Sequence, residues 1–271
     1  MTHDFICPVC ASPFERSEKT LRCAQGHSFD IAKQGYVNLL PSGRIAGHDH
    51  GDNREMIRAR RDFLNAGHYA PLASRLSEIF GEITPSGGCI LDCGCGEGYY
   101  SAYIAKALAS REIDVLATDI SRDAVSYAAR RGGIRCAVAN SFHLPLKDRS
   151  VHAVLSLCAP IAPQEFSRIL TLSGALVAVI PAERHLWAMK SAVYENPYEN
   201  RPEAALDGLF TIESQEILRF DVHLESTKEI RDLFSMTPYA YHTSVEDRAR
   251  LERLESLYDT AEFMILVCRK A

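Results

Sequence analysis

The chain has 271 residues, of which 46% are hydrophobic and 24% are charged, and its formal net charge is −5. This composition is that of an ordinary globular protein, and it excludes a collagen-like or a disordered chain. The apolar runs are all shorter than the roughly 18 residues that a membrane helix needs, and the amino-terminal sequence MTHDFICPVC contains no signal segment. We therefore expect a cytoplasmic protein with no membrane partner.

Charge and cysteines are unevenly distributed along the chain. Residues 1–75 contain 10 Lys and Arg against 8 Asp and Glu, which gives +2 and leaves −7 for the remainder. The total of −5 argues against a nucleic-acid partner, but the positive front segment does not. Three of the nine cysteines lie within the first 23 residues, and the next is Cys89. Both patterns predict a small module ahead of a larger, more acidic domain.

The first module carries four metal-ligand side chains at the spacing of a zinc site. Cys7, Cys10, Cys23 and His27 form the pattern C-x2-C-x12-C-x3-H. Three thiolates and one imidazole complete a tetrahedral site, so no position is left for a metal-bound water. The spacing therefore predicts one structural zinc ion per chain. The alternative is that chance cysteines serve as small apolar residues.

A polar, glycine-rich stretch follows the module. Residues 41–53 are typical of a loop, and His48 and His50 within it are interpreted as solvated residues and not as a second metal site. Asn53 is expected to cap a helix that ends near Gly67. A second helix is predicted to begin at Pro71 and to end at Gly81.

One face of the first of these helices is basic. Its arginines fall at helical positions i, i+4 and i+7 and form one stripe, made of Arg54, Arg58 and Arg61. A basic stripe is commonly a solvated surface. Because this one adjoins a positive module in an acidic protein, it also predicts contact with RNA phosphates.

From residue 88 onward, short apolar segments alternate with helical patterns. Strands are predicted at 89–92, 115–119, 135–139, 152–157, 175–180, 217–223 and 262–268. This alternation predicts an α/β fold with a doubly wound, largely parallel sheet. In such a sheet the ligand lies outside the carboxyl ends of the strands.

The turn after the first of these strands is a glycine-rich loop. Its glycines are Gly94, Gly96 and Gly98. Asp92 and Glu97 lie beside them, and Asp119 ends the next strand, where it can accept hydrogen bonds from both hydroxyls of a ribose. The G-x-G-x-x-G of a nicotinamide site is missing, and carboxylates at this point suit a cationic ligand without phosphate. The loop therefore favours S-adenosylmethionine over NAD.

At this point a resemblance can be stated. LDCGCGEGYYS at 91–101 resembles motif I of class I S-adenosylmethionine-dependent methyltransferases. Together with the zinc module, further segments resemble one family, the large-subunit ribosomal RNA guanine-N1 methyltransferases, which modify a hairpin of 23S rRNA. These segments are GYVNLLP at 35–41, ARRDFL at 59–64, GHY at 67–69, RHL at 184–186 and MTPY at 236–239. The similarity covers nearly the whole chain.

The resemblance implies an architecture and a set of ligand contacts. It implies a Rossmann-like class I methyltransferase domain at 86–271, a loop and helical connector at 41–85 and a zinc-binding RNA-recognition module at 1–40. The residues implied to contact the methyl donor are Tyr69, Gly96, Glu97 and His185. A core aromatic and a hydrogen-bonded structural histidine are the alternatives for Tyr69 and His185. Asn140 and Ser141, at the end of the third alternating strand, are expected near the adenine.

The chain departs from the family at one position. The family tends to place an aromatic residue before Ala-Pro at the end of the fourth strand, and this chain has Cys158 there. An aromatic ring could stack on the target base, which a thiol does less well. We interpret Cys158 as a core thiol. The alternative is that Cys158 is a nucleophile for the methylation of cytosine C5.

The implied function is methyl transfer from S-adenosylmethionine to N1 of a guanine in a 23S rRNA hairpin. N1 of neutral guanine carries a proton, and Glu183 and His185 are candidate acceptors for it. Two alternatives stay open: a small-molecule methyltransferase with a structural zinc module, and a non-catalytic zinc-containing RNA-binding protein. A homodimer is also left open.

Overall fold

Two β-sheets organise the chain, whose computed structural model describes residues 4–41, 53–237 and 239–271. The small sheet contains β1 (Phe14–Arg16), β2 (Thr20–Cys23) and β3 (Ser28–Asp30) in that order, all antiparallel. The strands of the large sheet are β4 (Val37–Asn38), β5 (Cys89–Cys93), β6 (Asp114–Asp119), β7 (Arg135–Val138), β8 (Val151–Leu157), β9 (Leu170–Pro181), β10 (Phe210–Leu224) and β11 (Leu257–Lys270).

Helices connect these strands. They are α1 (Arg54–Asn65), α2 (Ala70–Ile83), α3 (Tyr99–Ala107), α4 (Arg122–Ala128), α5 (Pro163–Ile169), α6 (Trp187–Val193), α7 (Thr227–Ser235), α8 (Tyr239–His242) and α9 (Val245–Leu251). Among the described residues, none of the helices combines the length and the apolarity that crossing a bilayer requires.

The large sheet has the order β10-β11-β9-β8-β5-β6-β7-β4. Neighbours from β9 to β4 are parallel, whereas β11 runs antiparallel to both β9 and β10. The predicted doubly wound, largely parallel sheet is therefore confirmed. Because the chain winds outward from β5 in both directions, the carboxyl ends of β5, β6, β7, β8 and β9 meet at one edge, where a ligand can bind.

Strand positions follow the prediction, but β9, β10 and β11 are much longer than predicted. Segments 217–223 and 262–268 belong to β10 and β11, which pair along almost their whole length from Phe210↔Lys270 to Leu224↔Leu257. The additional residues alternate between exposed and buried positions or lie at the sheet edge. They are ordered by pairing and not by an apolar run, so local hydrophobicity did not predict them.

The helices of the connector begin where the sequence predicts them. The Asn53 side chain accepts a hydrogen bond from the amide of Met56 at 3.0 Å and caps α1. Helix α2 continues past Gly81, contrary to the prediction. The reason is a tertiary contact, because the guanidinium of Arg111 donates to the carbonyl groups of Gly81 and Thr84 and satisfies the helix end.

The amino-terminal module is joined to the large sheet. Strand β4 pairs with β7 through Val37↔Ala137, and Phe5 and Leu21 pack in one apolar cluster with the residues beneath that sheet. The amide of Ile6 also donates to the carbonyl of Pro145 at 2.8 Å. The predicted boundary at residue 40 thus follows a strand of the large sheet. The predicted loop at 41–53, including His48 and His50, lies outside the described residues except for its two ends.

Candidate functional site

A cavity of ≈ 880 Å³ opens at the carboxyl edge of the parallel strands. Every residue that the sequence predicted for the methyl donor lines it, except Gly98. The predicted residues that line it are Tyr69, Asp92, Gly94, Gly96, Glu97, Asp119, Asn140, Ser141 and His185. Residues distant in sequence therefore converge on one cavity, although the assignment of a role to each stays a prediction.

The glycines of the loop serve two purposes. Gly94 has φ 85° and lies against the segment after β8, where a β-carbon would be 2.5 Å from that of Ala159. Gly98 has φ 82°, and a β-carbon there would lie 2.8 Å from the Cα of Ala128. Gly98 therefore allows the amino end of α3 to pack on α4, while Gly94 and Gly96 face the cavity.

Asp119 holds the glycine loop in place at the end of β6. One carboxylate oxygen accepts from the amide of Gly96 at 2.9 Å, and the other accepts from the amide of Ser121 at 2.8 Å. A carboxylate has about four acceptor positions. Asp119 therefore places a carboxylate at the cavity edge, the position expected for an acceptor of ribose hydroxyls.

Two buried carboxylates flank the loop. Asp92 accepts a hydrogen bond from the hydroxyl of Ser101, and burial raises the pKa of Asp92 to about 7. Arg131 pairs with Oε2 of Glu97, whereas Oε1 of Glu97 is buried and has no hydrogen-bond partner among the described residues. Burial raises the pKa of Glu97 against the opposing effect of Arg131. An unsatisfied acceptor in a cavity wall suits a ligand that carries an ammonium group.

Tyr69 and His185 also line the cavity. The ring of Tyr69 packs edge-on against Phe63 and Phe263, with centroids 5.0 and 5.4 Å apart. Nδ1 of His185 lies 2.9 Å from the carbonyl oxygen of Glu262, and burial lowers the pKa of His185 to about 4. At neutral pH the imidazole is therefore uncharged. Each side chain is both packed in the core and open to the cavity.

The two candidate proton acceptors occupy different environments. His185 lines the cavity, whereas Glu183 is exposed and lies outside the cavity lining. Glu183 contributes through its backbone, whose carbonyl accepts from the amide of Asn200 at 2.8 Å.

Cys158 faces the cavity in a left-handed conformation with φ 49°. Because it follows β8 at the cavity edge, Cys158 is exposed and is not the core thiol that the sequence predicted. Desolvation raises the pKa of Cys158 to about 11.

The cavity also contains residues that sequence reasoning missed. Arg60 lies over the glycine loop, 3.4 Å from where a β-carbon of Gly96 would be. It belongs to α1 but projects from a different face than the predicted basic stripe. Residues 200–203 also line the cavity. They belong to an irregular segment between α6 and β10, so neither periodicity nor a motif indicated them.

The arginines of the predicted basic stripe lie on the surface of α1 and differ in their ion pairs. Arg54 pairs with Asp123 at 2.8 Å, and Arg61 pairs with Asp62 at 2.7 Å. Arg58 is exposed. Contact between this stripe and RNA stays a prediction.

The predicted metal ligands form one cluster in the small module. The ligand atoms of Cys7, Cys10, Cys23 and His27 all lie within 4.8 Å of one another. Nδ1 of His27 is 3.6 Å from Sγ of Cys7 and 3.3 Å from Sγ of Cys23, and Sγ of Cys10 is 3.5 Å from Sγ of Cys23. Zn–S and Zn–N bonds of tetrahedral zinc imply ligand separations of about 3.5–3.8 Å. The donor set and its spacing therefore fit a structural zinc ion.

Comparisons with known proteins match both parts of the chain. A zinc-ribbon family model described as "RlmA, N-terminal" matches residues 5–44, and one described as "Methyltransferase domain" matches residues 90–174. The chain is 34% identical to the 23S rRNA (guanine(748)-N(1))-methyltransferase of Streptomyces fradiae, over 97% of this chain and 95% of that protein.

Two further proteins give matches over different lengths. A provisionally named 23S rRNA (guanine-N(1)-)-methyltransferase of Micromonospora griseorubida is 36% identical over 90% of this chain and 88% of that protein. A crystal structure of a S-adenosylmethionine-dependent methyltransferase from Aquifex aeolicus matches with a TM-score of 0.42 and 18% identity, over 49% of this chain and 74% of that chain.

Proposed function

The chain belongs to the family of S-adenosylmethionine-dependent 23S rRNA guanine-N1 methyltransferases, and from this premise we propose how its residues methylate a guanine in a hairpin of that RNA. The observation that carries the proposal is the convergence of the glycine loop, Asp119, Asn140 and His185 on one cavity. The small-molecule and non-catalytic alternatives are not favoured, because relatives over nearly the whole chain are named for rRNA methylation.

The methyl donor would be held by the loop side of the cavity. Asp119 would accept the ribose hydroxyls, Asn140 and Ser141 would flank the adenine, and the unsatisfied Oε1 of Glu97 would accept from the ammonium group. When bound, S-adenosylmethionine supplies an electrophilic methyl group on a sulfonium. The protein's task is then to align that group with the attacking nitrogen, and such positioning accounts for much of the rate enhancement.

The opposite wall would receive the guanine, which must leave its stacked or paired state to enter. As the bond from N1 to the methyl carbon forms, the sulfonium bond breaks and N1 loses its proton. We retain His185 over Glu183 as the acceptor, because His185 lines the cavity and Glu183 does not. Replacing each with Gln and measuring single-turnover rates tests this choice, since a dominant effect of Glu183→Gln would reverse it.

The small zinc module and α1 would hold the backbone of the hairpin. Zinc would be bound by Cys7, Cys10, Cys23 and His27 and would stabilise a segment too short to fold on apolar contacts alone. Lysines and arginines of the module and of the stripe on α1 would contact RNA phosphates. Such contacts recognise the shape of the RNA more than its sequence.

The decisive experiment is primer extension on 23S rRNA with and without the active gene, because N1 methylation blocks base pairing. Purified protein, S-adenosylmethionine and unmodified 23S rRNA should produce one stop at a guanine in a hairpin. Absence of a stop, or a stop at a cytosine, would contradict the proposal. Light scattering would decide whether the protein is a homodimer, and the cytoplasmic location stays a prediction.

A further inference from the structure

Helix α6 carries a lysine that is wholly buried. Lys190 is 0% exposed, and desolvation lowers its pKa. Its ammonium group donates to the carbonyl of Tyr198 at 2.8 Å and to Oδ1 of Asn200 at 2.7 Å. The same nitrogen lies 4.5 Å from the ring centroid of Tyr198 and 5.0 Å from that of Tyr239. Lysine is seldom fully buried unless its charge is compensated, and here an irregular segment supplies most of the compensation.

The contacts of Asn200 connect this lysine to the wall of the cavity. The side-chain Nδ2 of Asn200 donates to the carbonyl of Ala182 at 2.8 Å. The backbone amide of Asn200 donates to the carbonyl of Glu183, also at 2.8 Å. The carbonyl of Ala182 also accepts from the amide of His185 at 3.2 Å. The Asn200 side chain therefore bridges Lys190 to the turn that positions His185.

The segment fixed in this way forms part of the cavity. Residues 200–203 and Tyr239 line it together with the glycine loop and Asp119. A volume of ≈ 880 Å³ is near the upper end of the about 300–1,000 Å³ typical of small-molecule sites, which leaves room for a base beside the methyl donor.

We propose that Lys190 is a positioning residue whose buried ammonium group, acting through Asn200, fixes residues 198–203 as the wall that receives the RNA purine. This inference rests on the proposed function. It assigns the lysine no contact with the donor or with the reacting atoms. Replacement of Lys190 should therefore lower kcat/KM for RNA more than it weakens the binding of S-adenosylmethionine.

The test compares Lys190→Met with Lys228→Met, an exposed lysine of α7 that pairs with Asp232. Hydrogen exchange of 198–203 should accelerate by about tenfold or more in Lys190→Met only. The value of kcat/KM for RNA should fall by about tenfold to a hundredfold, since small misplacements have effects of that size. The Kd for S-adenosylmethionine, measured by calorimetry, should stay within about threefold of wild type.

Variants of Asn200 keep the test decisive if Lys190→Met does not fold. Asn200→Ala should reproduce the exchange and kinetic defects, whereas Asn200→Asp keeps the acceptor for the ammonium group but loses the donor to Ala182, and should show a smaller loss of kcat/KM than Asn200→Ala. A double variant should lose no more than either single variant, because both act through one contact.

Two results would overturn the inference. One is unchanged exchange and kcat/KM in Lys190→Met and Asn200→Ala. The other is a parallel loss of RNA use, donor affinity and melting temperature, which indicates a general structural role. Failure of the wild-type protein to methylate 23S rRNA would instead refute the proposed function, and the exchange measurement would still report on residues 198–203.

Discussion

Replacement of Asp119 by alanine should weaken the binding of S-adenosylmethionine strongly. The carboxylate ends β6 at the cavity edge, where an acceptor of two ribose hydroxyls is expected, and it also accepts from the amides of Gly96 and Ser121. A hydrogen bond to a charged acceptor contributes about 1.5–3 kcal/mol. Two such bonds give at least about 3 kcal/mol, which corresponds to an increase in Kd of roughly a hundredfold.

Titration calorimetry with S-adenosylmethionine measures this effect directly. Asp123→Ala is the matched control, because Asp123 is a nearby carboxylate on α4 that pairs with Arg54 at the surface. A donor analogue without the 2′-hydroxyl separates ribose contacts from loop distortion. Wild type should bind the analogue more weakly than the natural donor, whereas Asp119→Ala should discriminate less between them. A Kd for Asp119→Ala within about threefold of wild type would refute the ribose assignment.

Three further predictions address the metal, the RNA surface and the buried charge. Cys23→Ala should lower the zinc content from about one ion per chain and weaken RNA binding while donor binding persists, as metal analysis and calorimetry will report. Arg58→Ala should weaken RNA binding and reduce the slope of log K against log salt by about 0.7–0.9, and Arg253→Ala on the opposite end of the chain should not. Burial raises the pKa of Asp92 to about 7 in the folded protein, so its contribution to stability is fully present below its unfolded pKa near 4 and is lost as pH rises through the folded pKa. The midpoint denaturant concentration of Asp92→Asn should therefore exceed that of wild type at pH 8 but not at pH 4. An equal difference between the two midpoints at both pH values would contradict this reasoning.

The metal cluster and the glycine loop could be predicted because local spacing determines them. A C-x2-C turn and a C-x3-H turn each bring two ligands together within a few residues, so the pairs are fixed before the fold is known. The strand–glycine–helix transition at 93–98 is equally local, since glycine is needed wherever φ is positive. Alternation of strands and helices then predicted that Asp119 and Asn140 lie at the same edge.

Other parts of the site depend on contacts between distant segments. No periodic pattern indicated residues 200–203, whose contacts are with distant segments: Asn200 bonds to a lysine of α6 and to the turn after β9. The end of α2 was mispredicted for the same reason, since Arg111 satisfies its last carbonyl groups from thirty residues away. The exposure of Cys158 at the cavity and the neutral state of the buried His185 follow from tertiary packing, which a sequence does not show.

Length, composition and charge alone gave an ordinary acidic globular protein, and the −5 total pointed away from nucleic acid. Motif spacing determined the fold class, the zinc ligands and the preference for S-adenosylmethionine, because each depends on short-range geometry. Only the tertiary structure decided which of those residues share one cavity, which of Glu183 and His185 reaches it, and that a buried lysine contacts Tyr198 and Asn200 beside it. These features depend on desolvation and on contacts between segments distant in the chain, and both arise only when the sheet and its helices are packed together.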